Sequence, residues 1–324
     1  MAIKSFACPK CHASLEFDKT GACRCDRCRQ IFPAHHDVID FRLLSGQEKN
    51  QGWDIAEIEK AYREMGDYED NFAWAAKDGF PREVEEYRHR HLKGRVQEWL
   101  SGRSFERVLE IGCGSGYFLF KVNESLRQSA KTLAGLEVSY EQLLKFCARF
   151  KRFPQVECLP VLASAESIPL PDSSFDLVVS SEVLEHILHP DIAMREIYRV
   201  LKPGGTFCLT TPSHVPTEFW RWFFWPVRVV RRLLQGRSVK DMDKLVVYDQ
   251  AMNGQQILSY LKSAGFEIVH FERNIFLPHE SYFPVFPGWL SQFFLSAGGF
   301  LETRAKFLSP LLGLHFVAEV RKPQ

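Results

Sequence analysis

The stretch that most restricts how this chain can fold is Arg107-Val108-Leu109-Glu110-Ile111 followed by Gly112-Cys113-Gly114-Ser115-Gly116. A short run of Leu and β-branched residues reads as a buried strand, and a helical pattern begins at Tyr117. Glycines at alternate positions let the chain leave the strand sharply and bring its backbone against a ligand. Strand, glycine bend and helix in this order open an α/β sheet, whose ligands sit at the carboxyl ends of the strands. A lone bend of this kind is shared by many nucleotide sites, so the next strand matters. Leu133-Ala134-Gly135-Leu136-Glu137 reads as a second strand ending in an acid, placed to accept both hydroxyls of a ribose. No basic residue stands beside it to meet a 2′-phosphate. Glu110, directly before the bend, would repel a pyrophosphate and suits a ligand with a cationic amino group.

Composition narrows the rest. A chain of 324 residues that is 45% hydrophobic and 13% aromatic has ample material for a core and is not disordered. With 41 basic against 40 acidic residues it has no overall field for nucleic acid, local patches aside. Met1 to Phe6 carries one Lys and no apolar run, so no secretory signal is expected. No stretch reaches the roughly 18 uncharged apolar residues of a spanning helix. The nearest approach, Phe219 to Leu234, is interrupted by Arg221, Arg228, Arg231 and Arg232. The expected location is the cytoplasm, with contact at the inner face of a membrane as a further expectation. Cysteines in that compartment read as thiols or metal ligands, not disulfides.

Five of the nine cysteines lie between Cys8 and Cys28. Cys8-Pro9-Lys10-Cys11 and Cys25-Asp26-Arg27-Cys28 are two C-x-x-C knuckles, and two knuckles predict a tetrahedral four-thiolate zinc shell of the structural kind. Such a small segment has little core of its own, so the metal would supply much of its folding free energy. Cys23 reads as a small apolar filler, with replacement of Cys25 as ligand the alternative. His12, His35 and His36 are further candidate ligands that four thiolates make unnecessary. Together with Phe32-Pro33 and Val38-Ile39-Asp40-Phe41, these knuckles resemble the short zinc ribbons that activate methyltransferases, and the ribbons fused to the front of some of those enzymes.

The remaining motifs carry a second resemblance. The glycine bend, then Ala163-Ser164-Ala165-Glu166-Ser167-Ile168-Pro169-Leu170-Pro171-Asp172-Ser173-Ser174-Phe175-Asp176-Leu177-Val178-Val179, then Ser181-Glu182-Val183-Leu184-Glu185-His186, then Arg199-Val200-Leu201-Lys202-Pro203-Gly204-Gly205, stand in the order of class I S-adenosylmethionine-dependent methyltransferases, on the branch related to quinone biosynthesis. The resemblance implies a Rossmann-like α/β fold: a seven-stranded, mostly parallel sheet with an antiparallel last strand. It implies S-adenosylmethionine as cofactor, a molecule with an amino acid end, a ribose, an adenine and no phosphate. Its expected contacts are Glu110, Gly112, Cys113, Gly114, Gly116, Glu137, Ser164, Ala165, Glu166 and Glu182. Where the family usually carries an aspartate for the adenine amino group, this chain has Ser164.

Methyl transfer to a hydroxyl needs a base, most often His. His186, after the fourth strand, and His214, after the fifth, are the candidates placed at carboxyl ends of strands; a locally bonded helix-start residue and an exposed loop histidine are the alternative readings. The expected organisation is a zinc ribbon over 1–42, a helical segment over 43–100, and a methyltransferase domain over 101–324. Two insertions, 213–252 and 272–313, interrupt the last domain. Within it, Asn253 and Gln256 predict a capped helix closed by Gly265, Phe266–Phe271 a sixth strand, and Leu314–Arg321 the last. Both insertions are rich in Trp and Phe, and the first also in Arg, a composition that suits an apolar lid over the site or an interface with lipid. An ordinary helical cap is the alternative. The expected acceptor is a hydrophobic or lipid-linked small molecule methylated on oxygen. The competing expectation is RNA, held by Lys4, Lys10, Lys19, Arg24, Arg27 and Arg29 of the ribbon.

Overall fold

The structure is a computed structural model that describes residues 6–17, 23–35, 38–43, 54–64, 82–122, 129–213, 222–223, 225–234, 249–250, 252–275, 288–304 and 313–324. The N-terminal part is a small antiparallel sheet of β1 (Glu16–Phe17), β2 (Cys23–Arg24) and β3 (Ile31–Phe32), followed by a hairpin of β4 (Ala34–His35) and β5 (Val38–Ile39). Helices α1 (Ile55–Glu64) and α2 (Arg82–Leu100) come next, as their unbroken patterns predict.

The body is one seven-stranded sheet. Its strands are β6 (Arg107–Ile111), β7 (Thr132–Glu137), β8 (Glu157–Leu162), β9 (Phe175–Ser181), β10 (Leu201–Pro212), β11 (Glu267–Asn274) and β12 (His315–Arg321). They lie in the order β11-β12-β10-β9-β6-β7-β8, and β12 runs antiparallel to both of its neighbours. Helices α3 (Tyr117–Val122), α4 (Tyr140–Phe150), α5 (Pro190–Val200) and α7 (Gly254–Ser263) join the strands. Every residue of β7 is buried, which is why it reads as a continuous apolar run rather than an alternating one. The expected cap on α7 is present as a full capping box: Gln256 N–H donates to Asn253 and the Gln256 side chain accepts from the Asn253 N–H.

Two strands run longer than their sequences suggest. β10 starts at Leu201, which pairs with Phe175 before an irregularity ahead of Thr206. β11 continues to Asn274 because it pairs with β12 as far as His315. The second excursion therefore leaves the sheet after Asn274. Because β10 and β11 point the same way, both long excursions leave the carboxyl edge of the sheet. Each contains a described helix, α6 (Trp225–Leu234) and α8 (Gly288–Arg304). Trp222 beside α6 and Trp289 on α8 are 76% and 71% exposed. No helix among the described residues is long and apolar enough to cross a membrane.

The cysteine-rich segment is built onto the sheet. Ala7 N–H donates to Pro169 O at 3.1 Å and Phe41 N–H to Leu162 O at 2.9 Å, while Asp40 bridges Leu162 in parallel at the outer edge of β8. Cys8, Cys23, Cys25, Phe32 and Phe41 are buried in the same core as Leu109, Ile111 and Val178. Arg42 then locks the junction. Its guanidinium donates to both oxygens of Asp40, at 2.9 and 2.7 Å, and to Val138 O at 2.9 Å, with Glu59 of α1 at 3.7 Å. Val138 directly follows Glu137, so this anchor reaches the loop at the carboxyl end of β7.

Candidate active site

The bend after β6 is shaped by close packing on one side and space on the other. Gly112 has φ +62° and a Cβ there would stand 2.5 Å from Val183 Cγ2, so only glycine fits. Gly114 has φ +48° but nothing lies within 4 Å of where its Cβ would be, leaving room above the bend. The bend is pinned by Cys113 N–H to Leu136 O (3.0 Å), Gly116 N–H to Cys113 O (2.7 Å), and Arg149 Nε of α4 to Ser115 O (2.8 Å).

Glu137 closes over it. Its Oε2 accepts from Gly114 N–H at 2.9 Å and its Oε1 from the N–H groups of Val138 and Ser139 at 2.8 and 3.0 Å. Burial pushes this carboxyl up, and the N–H groups of Ser139, Gly114 and Val138 hold it back. Oε1 is filled by its two N–H donors, while Oε2, with one, retains capacity for another donor such as a ribose hydroxyl. Glu110 is only 2% exposed, and its Oε2 has no hydrogen-bond partner among the described residues. Burial pushes its carboxyl well up, while nearby Lys93 and the Leu119 N–H draw it down and Glu137 pushes it up again. A buried acceptor without a donor is costly, and a ligand ammonium would relieve it. Lys93, on α2, is itself buried, with Nζ 4.1 Å from the Tyr117 ring centroid. Sequence reading missed Lys93, since nothing in its helical context marks it.

Cys113 is buried, and burial pushes its thiol well up; a Cβ on Gly135 would stand 2.7 Å from its sulfur, so the thiol fills the space that glycine leaves. Ser164 and Ala165 follow β8, tied to β7 through Ala163 N–H to Glu137 O at 3.0 Å. The Ser164 hydroxyl accepts from Glu166 N–H at 3.2 Å. Glu166 turns to the start of α5, where it accepts from His189 N–H at 2.8 Å, and burial pushes its carboxyl up. The residues brought together around the bend are thus Glu110, Gly112, Cys113, Gly114, Gly116 and Glu137, with Ser164 and Ala165 alongside.

Glu182 follows β9, directly before the Val183 that packs on Gly112, and its side chain is held over β10 and β12. It has φ +56°, uncommon for a residue with a side chain. Its N–H donates to Thr210 O at 2.9 Å, Thr210 Oγ1 donates to its Oε1 at 2.8 Å, and His315 Nε2 stands 2.9 Å from its Oε2. The next acid, Glu185, lies in the helical turn Leu184–His186, accepts from Thr211 Oγ1 at 2.9 Å, and is pushed well up by burial and then by Glu182. His186 is 26% exposed, with Nε2 3.9 Å from Glu185 Oε1. His214 lies outside the described residues. The sequence reading passed over His315; the available signal was a buried histidine opening a strand whose other buried residues are apolar except Glu319.

At the other end of the chain, the sulfurs of Cys8, Cys11, Cys25 and Cys28 all lie within 4.8 Å of one another, and Cys23 is not among them. Burial pushes the Cys8 thiol up. At Cys25 burial acts in the same direction, but N–H groups of Cys28 and Arg27 and the neighbouring thiols outweigh it and bring the thiol down to about 7. Four convergent sulfurs are a donor set suited to a tetrahedral metal ion.

Comparison with known proteins agrees with this geometry. Residues 109–209 match the methyltransferase domain family. A probable S-adenosylmethionine-dependent methyltransferase of Mycolicibacterium smegmatis is 29% identical over 181 residues, 56% of this chain and 58% of that protein. The ubiquinone/menaquinone biosynthesis C-methyltransferase UbiE of a Ruegeria species is 27% identical over 186 residues, 55% of this chain and 73% of that protein. The first match thus spans little more than half of its relative's length. Among solved structures, the complex between the Haloferax volcanii Trm112 methyltransferase activator and a putative methyltransferase has a chain that aligns with a TM-score of 0.51 at 20% identity. The alignment covers 78% of this chain and 97% of that one, and supports the fold.

Proposed function

We propose that this chain, which carries an S-adenosylmethionine-dependent methyltransferase domain, methylates a hydroxyl oxygen on a hydrophobic or lipid-linked small molecule. The observation that carries the reading is the open glycine bend flanked by Glu110, whose buried oxygen lacks a donor among the described residues, and Glu137, whose carboxylate is already oriented by backbone N–H groups. Glu110 would take the cofactor's amino group, Glu137 the ribose hydroxyls, and Ser164 with Ala165 the adenine side. Bound there, the cofactor supplies an electrophilic methyl on a sulfonium. The chain's own tasks are to align the acceptor and to accept its proton.

A hydrophobic acceptor is supported by the excursions that leave the carboxyl ends of β10 and β11 and bear Trp222, Phe223 and Trp225 beside or on α6 and Trp289 and Phe293 on α8, all exposed. Rings of this kind also suit peripheral contact with a lipid surface, where Trp sits at headgroup depth. The four sulfurs suit zinc in a structural role. A second reading, transfer to a ring carbon of a hydroquinone, is favoured by the Ruegeria relative, a C-methyltransferase of ubiquinone/menaquinone biosynthesis.

The test is to incubate the full-length protein with methyl-deuterated S-adenosylmethionine and a prenylated 1,4-hydroquinone kept reduced. Mass spectrometry and NMR then locate the label. Label on oxygen is the expected result; label on ring carbon selects the second reading. Label entering RNA but no hydroquinone would overturn both.

A further inference from the structure

We propose that His315 is the catalytic base, with Nδ1 as the atom that takes the acceptor's proton and Glu182 as the positioning carboxylate behind it. This rests on the functional reading above and deepens it at the acceptor side of the site. His315 opens β12, opposite Pro212 of β10 and Asn274 of β11, so it stands at the carboxyl ends of both strands, the edge where the two long excursions depart. Its Nε2 is 2.9 Å from Glu182 Oε2. Glu182 is fixed in turn by Thr210 Oγ1 at 2.8 Å, and Thr210 Oγ1 is 3.1 Å from Ser181 Oγ. The pair therefore spans the end of β10 and lies beside β9, two strands from the cofactor bend's own neighbour β7 in the sheet order.

A carboxylate can only accept, so the proton shared with Glu182 belongs to Nε2. That tautomer leaves Nδ1 with a lone pair. His315 is 6% exposed, and Nδ1 has no hydrogen-bond partner among the described residues. A buried imidazole with one nitrogen held by a carboxylate and the other unsatisfied among the described residues has the arrangement of a general base. Glu182 holds a left-handed backbone conformation at φ +56°, a kind of local strain that concentrates at functional sites.

In the step, the acceptor's O–H bond breaks and its proton passes to His315 Nδ1. The oxygen uses the freed pair to bond the methyl carbon, and the sulfonium sulfur keeps the electrons of the broken S–C bond, leaving a neutral thioether. The imidazolium, balanced by Glu182, returns its proton to solvent. Among the described residues, the charged and titratable groups near the pair include Glu185 behind Thr211, His186 and Asp249 beside Glu185, and Arg273 of β11, whose guanidinium lies over the Phe316 ring.

The test compares wild type with His315→Gln and Glu182→Gln in the full-length protein, using the prenylated hydroquinone and, separately, a phenol acidic enough to be ionised at assay pH. Calorimetry with S-adenosylhomocysteine and a thermal melt accompany each variant. His315→Gln is expected to lower turnover of the hydroquinone by about 10²–10⁴-fold. It should keep S-adenosylhomocysteine affinity, lose the acid limb of the wild-type pH profile, and recover most of its rate on the pre-ionised phenol. Glu182→Gln should shift that limb and lose less. Equal turnover in wild type and His315→Gln overturns the assignment alone. Equal losses on both acceptors also overturn it, in favour of a structural role. A wild type that binds S-adenosylhomocysteine but methylates neither acceptor overturns the acceptor class and this assignment together.

Discussion

The two halves of the sheet's carboxyl edge are made by different means. Over β6 and β7 the polar groups are held mainly by backbone: Gly114, Val138 and Ser139 N–H groups orient Glu137, and the bend itself bonds to β7. Over β9, β10 and β12 they are held mainly by one another: Glu182 by Thr210 and His315, Glu185 by Thr211. Backbone cradles suit a ligand of fixed chemistry, since they leave few side chains to vary. Side-chain networks can be retuned to a new acceptor by single substitutions. On the proposed reading, the difference assigns the methyl donor's identity to the β6 and β7 half of the edge and the acceptor's to the half over β9, β10 and β12.

The largest expected effect separates the halves. Glu182→Gln or His315→Gln should lower turnover, the latter by about 10²–10⁴-fold, while S-adenosylhomocysteine affinity measured by calorimetry stays within about twofold. Coupled loss of both would merge the two halves into one network and break the comparison.

The second effect concerns what backs the donor half. Arg42→Met removes the guanidinium from Asp40, Glu59 and Val138 O. Breaking a buried pair from one side costs about 3–5 kcal/mol. A thermal melt should fall accordingly, and affinity for S-adenosylhomocysteine should weaken with it, because the loop after Glu137 loses its anchor. Full affinity in a destabilised variant would show that the cysteine-rich segment props the sheet without reaching the cofactor.

A third effect is linked to pH. The Glu110 carboxyl lies well above the ordinary value of 4.5 because of burial, so between 4.5 and its raised value the folded ligand-free protein holds a proton that the unfolded chain has lost. Its contribution to stability is therefore complete below the ordinary range and declines as pH rises through the raised value. An ammonium brought beside Glu110 restores its charge, so binding of S-adenosylhomocysteine at a pH between the ordinary and the raised value should release protons. Calorimetry in buffers of different ionisation enthalpy reads that release, and Glu110→Gln should abolish it. Unchanged release in that variant would move the proton to another group.

The smallest expected effect is in stability. Trp222→Ser and Trp289→Ser remove exposed rings and should shift stability by no more than about 0.5 kcal/mol. They should nonetheless weaken use of a prenylated acceptor, read as a higher KM with kcat unchanged, or reduce co-flotation with anionic vesicles. No change in either would leave the rings without a role on the acceptor half.

The same contrast explains what could be read from the chain. Glu110, the glycines and Glu137 are legible because their contacts fall within one strand-bend-helix-strand unit, where local spacing reports geometry. The Cys8, Cys11, Cys25 and Cys28 set is legible for the same reason. Asn253 with Gln256 predicted its helix start because a capping box is closed within four residues. Lys93 and His315 were not legible. Lys93 meets Tyr117 from a helix that precedes the sheet, and His315 meets Glu182 only after the sheet has ordered β12 beside β10. Glu182 was read as a cofactor contact from its motif; in the structure its carboxylate accepts from Thr210 Oγ1 and stands 2.9 Å from His315 Nε2, partners its motif did not announce.

The central claim is that Glu110 and Glu137 grip the amino and ribose ends of one methyl donor. Titration of the full-length protein with S-adenosylhomocysteine, beside a Glu110→Ala, Glu137→Ala double variant of unchanged fold by circular dichroism, tests it most directly. Loss of two hydrogen bonds to charged groups, each worth about 1.5–3 kcal/mol, predicts affinity weaker by about 10²–10⁴-fold in the variant. Saturable binding of equal strength in both proteins would contradict it.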